Sequence, residues 1–268
     1  MCPHCRAFID KKDRVCPYCD YHMGPRAIDL RMPDNLLGGL VPARRAATGA
    51  LLLINVALYL ATAIVSSKAG NEGALMNLDS RTLVTFGAMY RPLIAMGEWW
   101  RLLTAGFLHG GLLHIFMNMY GFMDLGAQVE ELFGTARMVA IYTVSTVTGF
   151  LASFFFGGGL SVGASAGIFG LIGAMIAVGT LHRNAVAQYL KTVYTRMAVY
   201  GIVVGFVIPV IDNWAHMGGL AGGFAMAWMS GLERRDNSLQ DRIWRTVAIG
   251  CVVVTGGALL TMASRLYK

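Results

Sequence analysis

Long apolar blocks with few charges recur along this chain, and blocks of about 18 residues or more are typical of membrane-spanning helices. Only 14% of the 268 residues are charged, whereas soluble domains carry about 25%. The pattern therefore predicts an all-α polytopic membrane protein that folds as one helical bundle. Seven candidate spans follow, at residues 46–66, 103–127, 137–156, 163–181, 197–211, 214–231 and 246–263.

The segments between the spans predict how the chain is organised. A Cys-rich module opens it, and a linker with three prolines and several charges follows. A bundle of six helices comes next, with a long insert whose Trp99 and Trp100 favour the membrane interface. A polar loop then leads into a seventh span. The predicted limits are 1–24 for the module, 25–45 for the linker, 46–231 for the six-helix core, 67–102 for the insert, 232–245 for the loop and 246–268 for the last span and tail.

The basic residues predict the orientation of the bundle. If the N-terminus is cytoplasmic, sixteen of the 22 Lys and Arg residues lie on the inner side, as the positive-inside rule requires. We therefore expect a cytoplasmic N-terminus and an external C-terminus. The net charge of +7 serves this topology. No basic and aromatic residues interleave as in base-stacking surfaces, so we expect a lipid bilayer and no nucleic acid as partner.

Four cysteines in the first module have the spacing of a structural zinc site. Cys2, Cys5, Cys16 and Cys19 form C-x2-C-x10-C-x2-C, and four thiolates suit tetrahedral Zn²⁺. A module of 24 residues is too small for a hydrophobic core, so metal binding would supply its folding energy. Two redox-active CxxC motifs are the alternative, and disulfides are disfavoured in the cytoplasm. We expect the module to stabilise the N-terminus or to bind a cytoplasmic partner, and its removal to leave the activity of the core intact.

Polar and ionisable groups inside the predicted spans mark a second candidate site, because such groups are costly in lipid. His109, His114 and Asn118 lie in one span, and the last two are one turn apart on the same face. Counted along ideal helices, Ser165 and His216 lie about 26 Å from the inner ends of their spans, and His114 about 24 Å. The hydrocarbon core is about 30 Å thick, so these side chains are predicted at one depth near its outer side.

Glycines recur at four-residue spacing on both sides of Ser165, at Gly163 and Gly167, and after His216, at Gly218 and Gly222 and at Gly219 and Gly223. Small residues let two helices approach closely in lipid. A histidine beside a serine can take its proton and make it a nucleophile. Asn118, His114 and the Ser165 amide could then stabilise an oxyanion. Each group also has a plainer explanation: a packing serine, a histidine among headgroups, an asparagine that joins helices. Composition alone therefore leaves transport or a proton relay open.

Four motifs occur in order along the chain: Glu98-Trp99-Trp100-Arg101, the stretch from His109 through His114 to Asn118, Gly163-Ala164-Ser165, and Ala215-His216 with Gly219 and Gly223. In the same order they resemble the Glu-x-Trp-Arg, H-x4-H-x3-N, Gly-x-Ser and Ala-His-x-x-Gly motifs of the rhomboid family of intramembrane serine proteases. The resemblance covers residues 46–231, and the ordered set is far more specific than any single motif.

The resemblance implies a specific chemistry. Ser165 and His216 would form a catalytic dyad without an acid, and His114, Asn118 and the Ser165 amide would form the oxyanion hole. His109, Gly163, Gly219 and Gly223 would support the site, and Trp100 and Arg101 would anchor the first loop in the outer leaflet. The resemblance further implies single-span membrane proteins as substrates and no cofactor for catalysis, with a bacterial cytoplasmic membrane as the expected location. The seventh span resembles the arrangement with one extra C-terminal helix.

Three positions differ from the family pattern or invite another interpretation. Ala166 follows the serine where glycine is common, and Phe169 replaces the usual tyrosine that packs on the catalytic imidazole. Asp212 lies one turn before His216 and raises the possibility of a triad, although exposure at the outer mouth argues against it. An inactive rhomboid-like binder and a transporter that uses Asp124 with the histidines are the competing hypotheses.

Overall fold

The computed structural model describes residues 4–5, 8, 15–19, 45–231 and 239–266. The chain divides into two compact units, Met1–Ala43 and Arg44–Lys268. Cys2, most of the predicted linker and the first half of the predicted 232–245 loop lie outside the described residues.

The second unit is built from helices, which confirms the predicted all-α class. Its only described strands, β1 (Met89–Tyr90) and β2 (Leu160–Ser161), form a two-residue antiparallel ribbon. Seven of the described helices have 17 residues or more: α1 Ala46–Lys68, α5 Leu112–Phe133, α6 Thr135–Phe156, α7 Ser165–Leu181, α8 Ala185–Val207, α9 Asn213–Ser230 and α10 Leu239–Leu266. The insert between α1 and α5 holds three short helices: α2 Ser80–Thr85, α3 Arg91–Ala95 and α4 Arg101–Thr104.

Several of these helices are suited to a membrane, which supports the polytopic class. Within the described residues, α1, α6, α8 and α10 are long and apolar enough to cross a bilayer. The segment 101–107 and α5 together form a pair bent by 91°, and α7 is a shorter apolar helix of 17 residues. The chain is therefore an integral membrane protein with several spanning helices.

The predicted second span, 103–127, is broken in the structure. A 3₁₀ turn at Ala105–Phe107 ends the first part, and α5 begins only at Leu112. The break lies at Gly110 and Gly111, where the backbone of the insert packs against the chain. The Gly110 carbonyl accepts a hydrogen bond from Leu78 N at 2.8 Å, and a Cβ on Gly111 would lie 2.2 Å from the Met76 carbonyl oxygen. Only glycine fits so close a backbone contact.

Helix α8 begins at Ala185, twelve residues before the predicted span. The side chain of Asn184 accepts a hydrogen bond from Ala187 N at 2.8 Å and caps the helix. The first turns carry polar residues that hydropathy alone does not count as membrane, so the sequence pattern detected only the apolar second half.

Helix α7 is the centre of the bundle, and twelve of its 17 residues are buried. It packs on α5, α6, α8 and α9, and its contact with α9 is the most extensive between any two described elements. Glycines make this contact possible. A Cβ on Gly219 would lie 2.1 Å from the Ala166 carbonyl oxygen, and one on Gly223 would lie 1.9 Å from that of Gly170. Residue numbers rise together along both helices, so α7 and α9 run parallel.

A buried carboxylate near the end of α5 holds the start of α1. Glu130 is 2% exposed and accepts hydrogen bonds from Ala47 N at 3.1 Å and Thr48 N at 2.9 Å. It also accepts from the hydroxyls of Thr48, at 2.7 Å, and Thr135, at 2.9 Å. The first N–H groups of a helix have no partner within the helix. Glu130 satisfies two of them, and its charge suits the positive end of the helix dipole.

A second carboxylate orders the beginning of the insert. Asp79 accepts hydrogen bonds from the hydroxyls of Ser66 and Thr82, at 2.6 Å and 2.7 Å, and from Thr82 N at 2.8 Å. These donors, Ser66 first, lower the pKa of Asp79 to about 2. Asp79 thereby caps α2 and ties the insert to the end of α1.

We expect Glu130→Gln to destabilise the protein by about 2 kcal/mol, because hydrogen bonds to a buried charged acceptor are lost or weakened. The matched control is Glu131→Gln. Its side chain is 70% exposed and lies 3.7 Å from Arg45, so the expected loss is below about 0.5 kcal/mol. Thermal unfolding in detergent measures both. Equal destabilisation of the two variants would contradict the capping role.

Candidate active site

Ser165 is the first residue of α7, and a tight turn presents it. The strand β2 precedes it, and Gly163 N donates a hydrogen bond to the Ala105 carbonyl at 2.9 Å. Gly163 has φ +131°, a conformation that L side chains rarely adopt. The Ser165 side chain is partly exposed, and its amide belongs to the first turn of α7, where N–H groups have no acceptor within the helix.

His114, near the start of α5, faces the same space as Ser165. A Cβ placed on Gly163 would lie 2.8 Å from His114 Nε2 and 3.5 Å from Ser165 Oγ. The missing side chain of Gly163 thus leaves room between an imidazole nitrogen and a serine hydroxyl. A small polar group of a ligand can fit there.

Backbone contacts determine which nitrogen of His114 faces Ser165 as a donor. Gly110 N donates a hydrogen bond to His114 Nδ1 at 3.3 Å, so Nδ1 acts as an acceptor. In a neutral imidazole the other nitrogen then carries the proton. Nε2 is therefore a hydrogen-bond donor aimed at the space beside Gly163 and Ser165.

Two further polar residues support His114. Asn118 is buried, and its Nδ2 donates to the His114 carbonyl oxygen at 2.9 Å. That bond uses one of the two amide protons and leaves the other for a second acceptor. His109 is fully buried, and its ring contacts that of His114 edge to face with centroids 5.1 Å apart. The H-x4-H-x3-N motif therefore spans the break before α5 and is brought together by it.

His216 is the fourth residue of α9, and an aromatic ring orients it. The ring of Phe169 stacks on the imidazole with centroids 4.0 Å apart and an interplanar angle of 12°. Phe169 is in turn held by α8, because a Cβ on Gly201 would lie 2.5 Å from its ring. The imidazole of His216 is itself buried.

The carboxylate of Asp212 caps α9, and its hydrogen bonds go to groups other than the His216 imidazole. Asp212 Oδ1 accepts from Ala215 N at 3.0 Å, and Oδ2 accepts from the Ser153 hydroxyl. Within the described part of the chain, His216 Nδ1 has no hydrogen-bond partner. Ser153, on α6, is a residue that sequence reasoning missed, because nothing in its local sequence distinguishes it from other helix serines.

Ser165 and His216 lie at the same end of two parallel helices in backbone contact. Ser165 precedes Ala166, and His216 lies one turn before Gly219, the residue that packs on the Ala166 carbonyl. No hydrogen bond between the Ser165 hydroxyl and the His216 imidazole is formed among the described residues. Such bonds are often long before a substrate is present.

The end of the insert is anchored by a buried arginine. Arg101 Nε donates to Glu98 Oε2 at 2.6 Å, and its NH1 donates to the carbonyls of Val84 and Ala88 at 2.7 and 3.1 Å. The guanidinium also lies 4.7 Å from the centre of the Trp100 ring, which packs against Gly87. The insert is thereby a folded part of the unit.

Helix α10 contacts Glu98, the ion-pair partner of Arg101. The carboxylate of Glu98 lies 3.8 Å from Arg265, in the final turn of α10. Helix α10 also packs on α4 and α6. The C-terminal end of α10 therefore lies on the side of the bundle that carries the insert.

In the first unit, three of the four predicted zinc ligands lie together. The thiols of Cys5, Cys16 and Cys19 are all within 4.8 Å of one another, and the sulfurs of Cys5 and Cys16 are 3.6 Å apart. Thiolates on a tetrahedral zinc ion with bonds of about 2.3 Å would be about 3.8 Å apart. The spacing fits such an ion, and Cys2 lies outside the described residues.

Residues 96–233, about half of the chain, match the Rhomboid domain family. The chain belongs to the rhomboid family. This match confirms the resemblance expected from the four motifs, all of which lie within the matched residues. The rhomboid domain thus begins within the insert and ends after α9.

Several rhomboid relatives are similar over the same part of the chain. The chain is 42% identical over 159 residues to Rhomboid protease GluP of Bacillus subtilis, covering 58% of this chain and 31% of that protein. It is 34% identical over 161 residues to RHOMBOID-like protein 4 of Arabidopsis thaliana, covering 59% and 41%. It is 33% identical over 182 residues to Rhomboid-like protease 1 of Toxoplasma gondii, covering 66% and 62%. The chain thus spans less than two thirds of the length of each of these relatives.

We expect Gly163→Ala to lower the rate at which a fluorophosphonate labels Ser165 by about 100-fold, because the new methyl group displaces His114 Nε2 from the shared space. Gly159→Ala is the matched control. Gly159 has φ +134° and nothing within 4 Å of the added Cβ. Alanine at Gly159 therefore introduces similar backbone strain but makes no contact with His114. Equal labelling rates of the two variants would show that the space beside His114 is unimportant.

Proposed function

We propose that this rhomboid is a serine-type endopeptidase that cleaves membrane-embedded segments of other proteins. The close parallel contact of α7 and α9 carries the proposal, because it brings Ser165 and His216 to the same end of the bundle. The names of two relatives, from Bacillus subtilis and Toxoplasma gondii, describe proteases. The retained serine and histidine argue against an inactive binder.

In the proposed reaction, Ser165 Oγ attacks the carbonyl carbon of the scissile bond while His216 takes the hydroxyl proton. The carbonyl oxygen becomes an oxyanion. His216 then returns the proton to the leaving amine, and an acyl-enzyme remains on Ser165. A water molecule attacks this ester with His216 as base, which releases the new carboxylate and restores the hydroxyl.

The oxyanion would be held in the space beside Gly163. His114 Nε2–H points there because Gly110 N occupies Nδ1. The amide of Ser165 and the second amide proton of Asn118 are the other proposed donors. Fixed donors aimed at a developing charge lower the barrier because they need not reorganise during the reaction. The removal of one such donor typically costs about 100- to 1,000-fold in rate.

The site operates as a dyad in this proposal. Asp212 has both carboxylate oxygens bonded to Ala215 and Ser153, so it caps α9 and does not orient the imidazole. Phe169 performs that orientation by stacking on His216. Its missing hydroxyl, relative to tyrosine, leaves the stacking contact unchanged. No cofactor takes part in the proposed reaction.

The substrates we propose are single-span membrane proteins, cut near the outer side of the bilayer. The N-terminus would be cytoplasmic and the C-terminus external, in a bacterial cytoplasmic membrane. In a transmembrane helix the backbone groups are hydrogen-bonded to one another, so the peptide bonds are poorly accessible to a nucleophile. Segments with small or helix-breaking residues should therefore be preferred, because they unwind more easily into the site.

We expect Ser165→Ala and His216→Ala each to lower cleavage of a single-span substrate in proteoliposomes by about 1,000-fold or more. Both should also abolish fluorophosphonate labelling. Ser161→Ala is the matched control, since Ser161 is buried in β2 only four residues from Ser165. His114→Ala should lower cleavage by about 100-fold with an unchanged unfolding temperature.

The opposite result is informative. Cleavage or labelling that survives Ser165→Ala would refute the assignment of the nucleophile. Tight substrate binding without any product would favour the inactive binder, and ion flux that survives Ser165→Ala would favour the transporter.

We further propose that Cys2, Cys5, Cys16 and Cys19 hold one structural Zn²⁺. The three described thiols already have the spacing that the ion requires. Zinc would stabilise the module because its folding energy comes from metal binding. Its role is either to stabilise the N-terminus or to bind a cytoplasmic partner.

Metal analysis of the purified chain should give about one zinc per chain, and Cys16→Ser should lower that content severalfold. Cys251→Ser is the control, since Cys251 lies in α10. Removal of residues 1–24 should abolish zinc binding and leave cleavage in detergent largely intact. Unchanged zinc content in the Cys16→Ser variant would contradict the site.

A further inference from the structure

A cavity of about 630 Å³ opens between the beginning of α6 and the first half of α10, and none of its lining residues belongs to α7 or α9. This volume is within the range of ligand sites, about 300–1,000 Å³. Its deeper walls are apolar and belong to two helices that are suited to span a membrane. These two helices contribute Val139, Ala248, Ile249, Val252 and Val253, and the end of α5 contributes Phe133.

The other end of the cavity is charged. Arg137 and Asp241 form an ion pair at 3.0 Å, with side chains 4% and 15% exposed. Arg245 also lines the cavity and is exposed. No described carboxylate forms an ion pair with Arg245. Among the described residues that line the cavity, two arginines and one aspartate therefore sum to one positive charge, beside the buried ring of Trp244.

The charged and apolar ends are ordered along the helix axis. From Arg245 to Val252 and Val253 is seven or eight residues, about 11 Å at 1.5 Å per residue. The basic end lies near the start of α10, and the apolar end continues toward the middle of this helix. A phospholipid has the same order, with its phosphate at the surface and its acyl chains below.

We propose that this cavity binds one anionic phospholipid from the leaflet that meets the start of α10, with its phosphate at Arg245 and one acyl chain along Ile249, Val252 and Val253. Charge complementarity favours an anionic headgroup, because basic pockets between membrane helices attract anionic lipids. A soluble anion would leave the apolar walls unfilled. The lipid would then brace α10 against α6 at the end where Arg137 and Asp241 already join them.

The test is native mass spectrometry of the full chain purified in detergent, titrated with palmitoyl-oleoyl phosphatidylglycerol or with the phosphatidylcholine of the same chains. We expect one tightly retained phosphatidylglycerol and weaker retention of phosphatidylcholine. Arg245→Gln should weaken retention of phosphatidylglycerol by about fivefold. Arg242→Gln, which removes the same charge one turn away and outside the cavity, should have no effect.

A second pair of variants tests the acyl chain. Val253→Phe fills the cavity and should weaken retention of both lipids, whereas Val254→Phe adds the same volume to a neighbouring exposed residue outside the lining. The proposal would be overturned if phosphatidylcholine were retained as tightly as phosphatidylglycerol, if Arg242→Gln matched Arg245→Gln, or if Val253→Phe left retention unchanged. All four variants alter lipid-facing or solvent-facing side chains, and their unfolding temperatures check that each remains folded.

Discussion

The contact between the backbones of α7 and α9 is the constraint on which the proposed site depends. Gly219 and Gly223 pack on the carbonyl groups of Ala166 and Gly170, and no larger residue fits. Lipid offers no hydrophobic force between helices, so close packing of small residues has to supply the attraction. The parallel direction of the two helices then brings Ser165 and His216 to one end.

Buried polar side chains place the remaining elements around this pair. In lipid, every helix end needs partners for its free backbone groups. Glu130 supplies them for α1 and Asp212 for α9. In the insert, the Arg101 guanidinium donates hydrogen bonds to two backbone carbonyls. Each of these side chains therefore fixes the position of the element whose backbone groups it satisfies.

Much of the fold and of the candidate site could be predicted. The length of the apolar blocks indicates helices that cross a bilayer, because a helix satisfies its backbone hydrogen bonds internally and the bilayer core offers no water for unpaired groups. The order of Gly163, Ser165 and His216 with their neighbours indicates the rhomboid family without reference to any tertiary contact. The polar first turns of α8 and the break at Gly110 and Gly111 were not predictable from hydropathy, since one is a polar extension and the other depends on a distant backbone contact.

The sequence alone therefore determined the helical class, the family and the residue types available for chemistry, because these depend on composition and local order. Only the tertiary structure decided how those residues are used. His114 carries its proton on Nε2 because Gly110 N donates to Nδ1. Asp212 accepts a hydrogen bond from Ser153 on α6. The cavity beside Arg245 exists because α10 packs on α6. Each of these is a contact whose geometry arises only when the backbone has folded, and no local pattern encodes it.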